Sequence, residues 1–139
     1  MKTAVITGAA GGIGFACVEK FAREGYEIVA MDLAAEETAL AKFAPLGDKI
    51  HYFRGNLSEG ESRSQLAEFA YAKLGHVDAL INVAGVAPRQ RNDILAMTEE
   101  SYDFVMDINT KGTFFLTQLF ANKMIAQEAE DGIRGYIVN

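Results

Sequence analysis

Four glycines crowd the start of the chain, Gly8, Gly11, Gly12 and Gly14, and a carboxylate, Asp32, closes the next apolar run. Each residue type suits one kind of chemistry. A glycine-dense turn opening a helix leaves backbone amides unpaired and faces the positive end of the helix dipole outward, which suits a phosphate. Glycine is needed where a Cβ would keep the phosphate, or the helix, from approaching the backbone. Asp32 lies close to the offset of about 20 residues at which a dinucleotide-binding turn is followed by a ribose-binding acid. Its carboxylate can accept hydrogen bonds from both ribose hydroxyls, and it can also serve as the N-cap of a following helix. A glycine turn alone is weak evidence; the strand before it and the acid after it make it specific.

These groups need elements to hold them. Thr3–Thr7 is an apolar, β-branched run that reads as a buried strand. A helix follows the glycines, with Ile13, Ala16, Cys17 and Phe21 on its apolar face, and Glu27–Met31 is a second strand ending in Asp32. A short helix over 35–44 carries Leu40, Phe43 and Ala44 and is ended by Pro45 and Gly47. A third strand, 49–54, runs into Gly55-Asn56-Leu57-Ser58, where Ser58 and Glu61 form a capping box. The helix it opens bears Leu66, Phe69, Ala70, Lys73 and Leu74 and stops at Gly75. Residues 77–82 form a fourth strand, and 86–97, with Pro88, Arg89 and Arg91, a loop at the sheet's carboxyl edge. Thr98 caps a helix with Tyr102, Val105 and Met106 as its apolar positions. A longer helical pattern spans 109–127 with Gly112, Phe115, Leu116, Leu119, Phe120 and Met124. After a polar turn at 128–132, residues 135–139 begin a fifth strand. Strands alternating with helices on short links predict an α/β fold, a doubly wound parallel sheet with right-handed crossovers.

Thr7-Gly8-Ala9-Ala10-Gly11-Gly12-Ile13-Gly14 resembles the Thr-Gly-x-x-x-Gly-x-Gly turn of the short-chain dehydrogenases/reductases. Downstream segments extend the resemblance over nearly the whole chain. It implies a Rossmann-like sheet of order 3-2-1-4-5, a dinucleotide-binding domain over 1–139, and a cofactor contacted by Gly8, Ala10, Gly12, Ile13 and Gly14. Asp32 and Leu33 would hold the adenosine ribose. With an acid at 32 and no basic residue at Ala10, Gly11 or Leu33, electrostatics favour NAD over NADP. Asn56-Leu57 stands where the family has Asp and a hydrophobic residue flanking adenine, although an Asn after Gly55 is also an ordinary turn residue. Asn82-Val83-Ala84-Gly85 is similar to Asn-Asn-Ala-Gly: Asn82 would tie neighbouring strands, and Ala84 and Gly85 would admit the cofactor ribose. Asp107–Phe114 resembles the segment holding the family's active-site Asn, so Asn109 is the catalytic candidate, kinking its helix and holding a proton-relay water.

The same resemblance implies an oxidoreductase moving a hydride between nicotinamide and an alcohol or carbonyl substrate, with 3-ketoacyl-carrier-protein reductases and sugar-alcohol dehydrogenases both among the comparable enzymes. That chemistry uses a Ser and a Tyr-x-x-x-Lys pair, and none of Tyr26, Tyr52, Tyr71, Tyr102 or Tyr136 has Lys four residues on. The chain therefore reads as a cofactor-binding portion cut in its fifth strand and not competent for turnover alone. The alternative is a stand-alone, non-catalytic NAD-binding or interaction module. In either case the 109–127 helix is the expected homo-oligomer contact, its Phe115, Leu116, Phe120 and Met124 supplying both a core face and an interface face.

The totals exclude other classes. The 139 residues suit one domain, half of them hydrophobic, with a net charge of −6. With a pI near 4.9 and no basic run, a nucleic-acid partner is not expected. A single cysteine, Cys17, forms no internal disulfide and reads as a small core residue. His51 and His76 belong to no ligand-spaced cluster, so no metal is expected. There is no Gly-Lys-Ser/Thr phosphate loop and no Gly-x-Ser-x-Gly elbow. No targeting segment or membrane span is read, and the expected location is cytoplasmic.

Overall fold

The computed structural model describes residues 1–139. Five parallel strands, β1 (Thr3–Thr7), β2 (Glu27–Asp32), β3 (Ile50–Arg54), β4 (Ala79–Asn82) and β5 (Tyr136–Val138), form one sheet in the order β3-β2-β1-β4-β5. β1 is central: Thr7 pairs with Met31 on one side and Asn82 on the other. The chain first winds outward through β2 and β3, then crosses back to β4. The loops after β1 and β4 therefore part above the sheet's carboxyl edge, and that parting is the crevice where such folds take ligands.

Helices α1 (Gly12–Arg23) and α2 (Glu36–Phe43) join β1 to β2 and β2 to β3. Helix α3 (Gly60–Leu74) and the segment from α4 (Glu99–Met106) to α5 (Thr113–Ala126) serve β4 and β5. Every residue of β1 is buried, and successive side chains feed opposite layers. Ala4 and Ile6 join Val18, Ala39 and Phe43 from α1 and α2, while Val5 joins Leu66, Ala70, Leu116 and Phe120 from α3 and α5. Burying a side chain the size of Phe120 stabilises the fold by roughly 1.5–3 kcal/mol.

Several elements differ from the sequence expectation, each for a local reason. The apolar face of α1 is rotated: Ile13 and Ala16 are exposed, and Gly14 and Val18 are buried. Gly14 sets this phase, because a Cβ there would lie 1.9 Å from the Gly8 carbonyl oxygen. Ser58 does not cap α3. Its amide and hydroxyl both go to the Asn56 carboxamide oxygen, at 3.1 and 2.9 Å, and the helix opens after Glu59 instead. On α3, Lys73 is exposed and Arg63 and Ala67 are buried in addition to Leu66, Ala70 and Leu74. Tyr102 is exposed on α4, although Thr98 caps that helix as its sequence predicts. The helical pattern from 109 is not uniform: residues Asp107–Gly112 form a π turn between α4 and α5. Leu116, Phe120 and Met124 lie in the core, so only Phe115 of the expected contact set is exposed, beside Phe114 and Ile125.

Candidate functional site

Above the parting of β1 and β4 lies a cleft of about 680 Å³. It is lined by the glycine turn (Gly8, Ala10–Gly14), by Met31–Ala34, by Gly55–Leu57, by Val83–Val86 and by Ile108. A larger groove, about 830 Å³, opens at the opposite edge around His76, Asp78 and Arg134, but it has no glycine turn. The chemistry converges on the carboxyl-edge cleft.

The turn leaves β1 with Gly8 at φ +64°, a left-handed conformation that favours glycine. It also packs tightly there, since a Cβ on Gly8 would come within 2.8 Å of the Ala84 Cα. Gly12 is different: it lines the cleft, and a Cβ there would meet nothing within 4 Å. Gly11 precedes α1 with no side-chain cap, and the first turn of α1 holds no acid. The amides of Gly12, Ile13 and Gly14 find no partner in the chain, because the first turn of a helix has none to offer. Unpaired amides, a dipole end and a missing Cβ make a cradle fitted to a phosphate.

Asp32 is held at the mouth of this cradle. Its Oδ2 accepts the Ala10 amide at 2.9 Å and its Oδ1 accepts the Ala34 amide at 3.2 Å. An ionised carboxylate has about four acceptor positions, so both oxygens retain capacity for hydroxyl donors. Asp32 does not cap α2; Ala35 holds that position without a side-chain bond. Beneath it, the Tyr52 hydroxyl donates to the carbonyls of Asp32 and Ala34, at 3.1 and 2.7 Å. Burial, and then the Asp32 charge, push the Tyr52 phenol up to about 12, which keeps it a donor. Leu33 and Ile13 are exposed apolar side chains at the cleft wall.

The remaining expected residues divide into two groups. Asn56 and Leu57 line the cleft, as do Ala84 and Gly85. Asn56 also forms the side-chain turn with Ser58 and donates Nδ2 to Glu59, so its turn role is realised. Asn82 and Asn109 do not line the cleft themselves. Asn82 Nδ2 donates to the Thr117 hydroxyl (3.0 Å) and the Asn139 carboxamide (2.7 Å), tying β4 to α5 and to the end of β5. Asn109, in the π turn, pairs both ways with the Val86 backbone: its Oδ1 accepts the amide and its Nδ2 donates to the carbonyl, each at 2.8 Å. Sequence reasoning missed Thr7, whose buried hydroxyl accepts the amides of Val83 and Ala84 and so fixes the two sides of the crevice. A Thr immediately before the first glycine was the available signal.

The model of the short-chain dehydrogenases matches residues 2–139. The chain belongs to the short-chain dehydrogenase family. Among curated short-chain dehydrogenases it is 34% identical to a diacetyl reductase, (S)-acetoin forming, of Staphylococcus epidermidis, covering 99% of this chain and 52% of that protein. It is 36% identical to a 3-oxoacyl-(acyl-carrier-protein) reductase of Thermotoga maritima, covering 99% of this chain and 54% of that one. A crystal structure of a 3-oxoacyl-(acyl-carrier-protein) reductase from Brucella melitensis in complex with NAD superposes with a TM-score of 0.85 at 29% identity, over 93% of this chain and 51% of that one. The chain thus spans about half the length of the curated short-chain dehydrogenases it matches. The sheet order expected for the family is the order observed. No helix is long and apolar enough to cross a membrane.

Proposed function

We propose that this chain binds NAD in the carboxyl-edge cleft and serves an oxidoreductase that moves a hydride between nicotinamide and an alcohol or carbonyl substrate. The observation that carries the reading is the pairing of three unpartnered amides, at Gly12, Ile13 and Gly14, with a carboxylate anchored on the Ala10 amide of the same turn. The bound dinucleotide supplies or accepts the hydride. The amides at the start of α1 hold the pyrophosphate, with Gly8 and Gly14 keeping the turn close to β1 and Gly12 leaving room for the ligand. Asp32 accepts the adenosine ribose hydroxyls and disfavours a 2′-phosphate, which selects NAD over NADP. Leu33, Asn56 and Leu57 flank the adenine, and Ala84 and Gly85 admit the second ribose. Asn82 braces the β4 end behind that ribose, and Asn109 holds Val86 at the far end of the cleft, where the reacting groups meet.

Hydride transfer also needs a proton donor of suitable pKa at the substrate oxygen. None of Tyr26, Tyr52, Tyr71 and Tyr102 has a Lys four residues on, so we expect these 139 residues to bind the dinucleotide without turnover. Phe114 and Ile125, 62% and 67% exposed on α5, favour self-association through that helix, which sedimentation velocity checks. The functional reading is tested by titrating the chain with NADH and NADPH while following nicotinamide fluorescence. Saturable binding that favours NADH supports it. Tighter binding of NADPH overturns the cofactor assignment, and absence of any binding overturns the site.

A further inference from the structure

Arg63 is the one charged side chain in the core, 8% exposed on α3. No carboxylate pairs with it, so its charge is met by hydrogen bonding and by what solvent still reaches it. Its Nη1 donates to the Leu57 carbonyl at 2.6 Å, and its guanidinium lies 5.7 Å from the centre of the Phe115 ring on α5. With no competing anion, the cation's strong hydrogen bond is directed to one neutral carbonyl. That carbonyl also lies close against the π turn, where only a glycine fits. A Cβ on Gly112, the last residue of the π turn, would lie 2.7 Å from the Leu57 oxygen and 3.0 Å from the Leu57 Cβ.

Leu57 and the π turn contribute to different stretches of the cleft wall. Leu57 itself lines the wall beside Asn56. The π turn supplies Ile108 to the wall and Asn109, which holds the Val86 backbone by two bonds. We propose that Arg63 is a positioning residue: by seating the Leu57 carbonyl against the π turn, it fixes the spacing between the Asn56–Leu57 end of the cleft and the Val86 end. The inference rests on the dinucleotide reading of the cleft for its function, although the mechanical coupling stands on the contacts alone. A π turn has looser backbone bonding than an α-helix, and such turns recur at functional sites. Here the buried cation supplies, from a neighbouring helix, the restraint that the turn lacks.

The test uses the 139-residue chain and Arg63→Met, which keeps an unbranched apolar stem and removes the guanidinium donor. Amide hydrogen exchange is read residue by residue without dinucleotide, and NADH affinity is measured separately. The expected result is a rise of about tenfold in Val86 exchange, the size of one lost charge-assisted bond, with β2 amides unchanged. NADH binding is expected to weaken by a similar factor, and Arg63→Lys to recover part of both. Unchanged Val86 exchange overturns the proposal, as does an equal rise across β2, which is what a merely structural role produces. If Arg63→Met does not fold, Arg63→Lys decides: a selective rise at Val86 supports the coupling, and none overturns it. If wild-type chain binds no NADH, the functional reading fails while Val86 exchange still decides the coupling.

Discussion

Replacing Asp32 by Asn removes one charge and one acceptor while keeping the shape of the side chain. Both carboxylate oxygens hold backbone amides, Ala10 at 2.9 Å and Ala34 at 3.2 Å, so the carboxamide must turn its NH2 toward one of them. The turn loses one bond, and the ribose hydroxyls lose a charged acceptor. Hydrogen bonds to charged groups contribute about 1.5–3 kcal/mol, so NADH affinity is expected to fall roughly 10- to 150-fold. NADPH responds in the opposite sense. A unit charge about 5 Å from a half-buried carboxylate is repelled by roughly 1–3 kcal/mol, between the water and protein-surface limits. Relief of that repulsion works against the lost acceptor for NADPH alone, so the NADH-to-NADPH affinity ratio should drop by roughly 5- to 150-fold. Parallel fluorescence titrations of wild type and Asp32→Asn measure the ratio directly. Repeating them near 1 M salt, where the screening length is about 3 Å, should shrink the electrostatic part of the change. A variant that keeps the wild-type ratio would refute the role assigned to Asp32.

Two further perturbations follow from the packing and the hydrogen bonds. Gly14→Ala places a Cβ 1.9 Å from the Gly8 carbonyl oxygen, so the helix must move off its strand. The expected cost is at the upper end of the roughly 1–3 kcal/mol of overpacking or beyond, read as a lower midpoint in urea, and an unchanged midpoint would contradict the packing. Tyr52 has its phenol raised to about 12 in the fold against an ordinary value of 10. The folded state holds this proton more tightly, so the stabilisation is complete below pH 10 and is lost as pH rises toward 12. Tyr71, raised to about 12 by burial, adds a loss of the same sign. Urea melts at pH 9, 10.5 and 11.5 should therefore show stability falling less steeply in Tyr52→Phe than in wild type. Parallel pH profiles would contradict the Tyr52 assignment.

The legible parts of the molecule were those that depend on local pattern. β1 with its glycine turn, the acid ending β2, and the strand–helix alternation all lie in short stretches whose periodicity and spacing are set by one element at a time. The sheet order required the family resemblance, because nothing in the strands themselves says which neighbour each takes. What was not legible depends on particular contacts, near or far in sequence, that neither period nor spacing encodes. Ile13 looks like a core position by period, yet Gly14 must meet the Gly8 carbonyl, and that contact turns Ile13 toward the cleft. Ser58 and Glu61 spell a cap, but Asn56 takes the Ser58 donors first. Arg63 sits in an amphipathic pattern where a charge would ordinarily face solvent, and only the folded chain shows the Leu57 carbonyl it meets. Asn109 was found through resemblance; its two bonds to Val86, 23 residues earlier, could not be read from its own segment.

The central claim is that the glycine turn is open because a dinucleotide lies against it. Gly12→Val tests this most directly, since Gly12 lines the cleft and a Cβ at that position points into open space. NADH titrations of wild type and Gly12→Val, each with a urea melt, separate binding from stability. The account predicts that the variant keeps its unfolding midpoint to within about 1 kcal/mol, the effect of a β-branched residue in a first helical turn, and loses saturable NADH binding. A variant that binds NADH as wild type does would contradict the placement of the dinucleotide in this cleft.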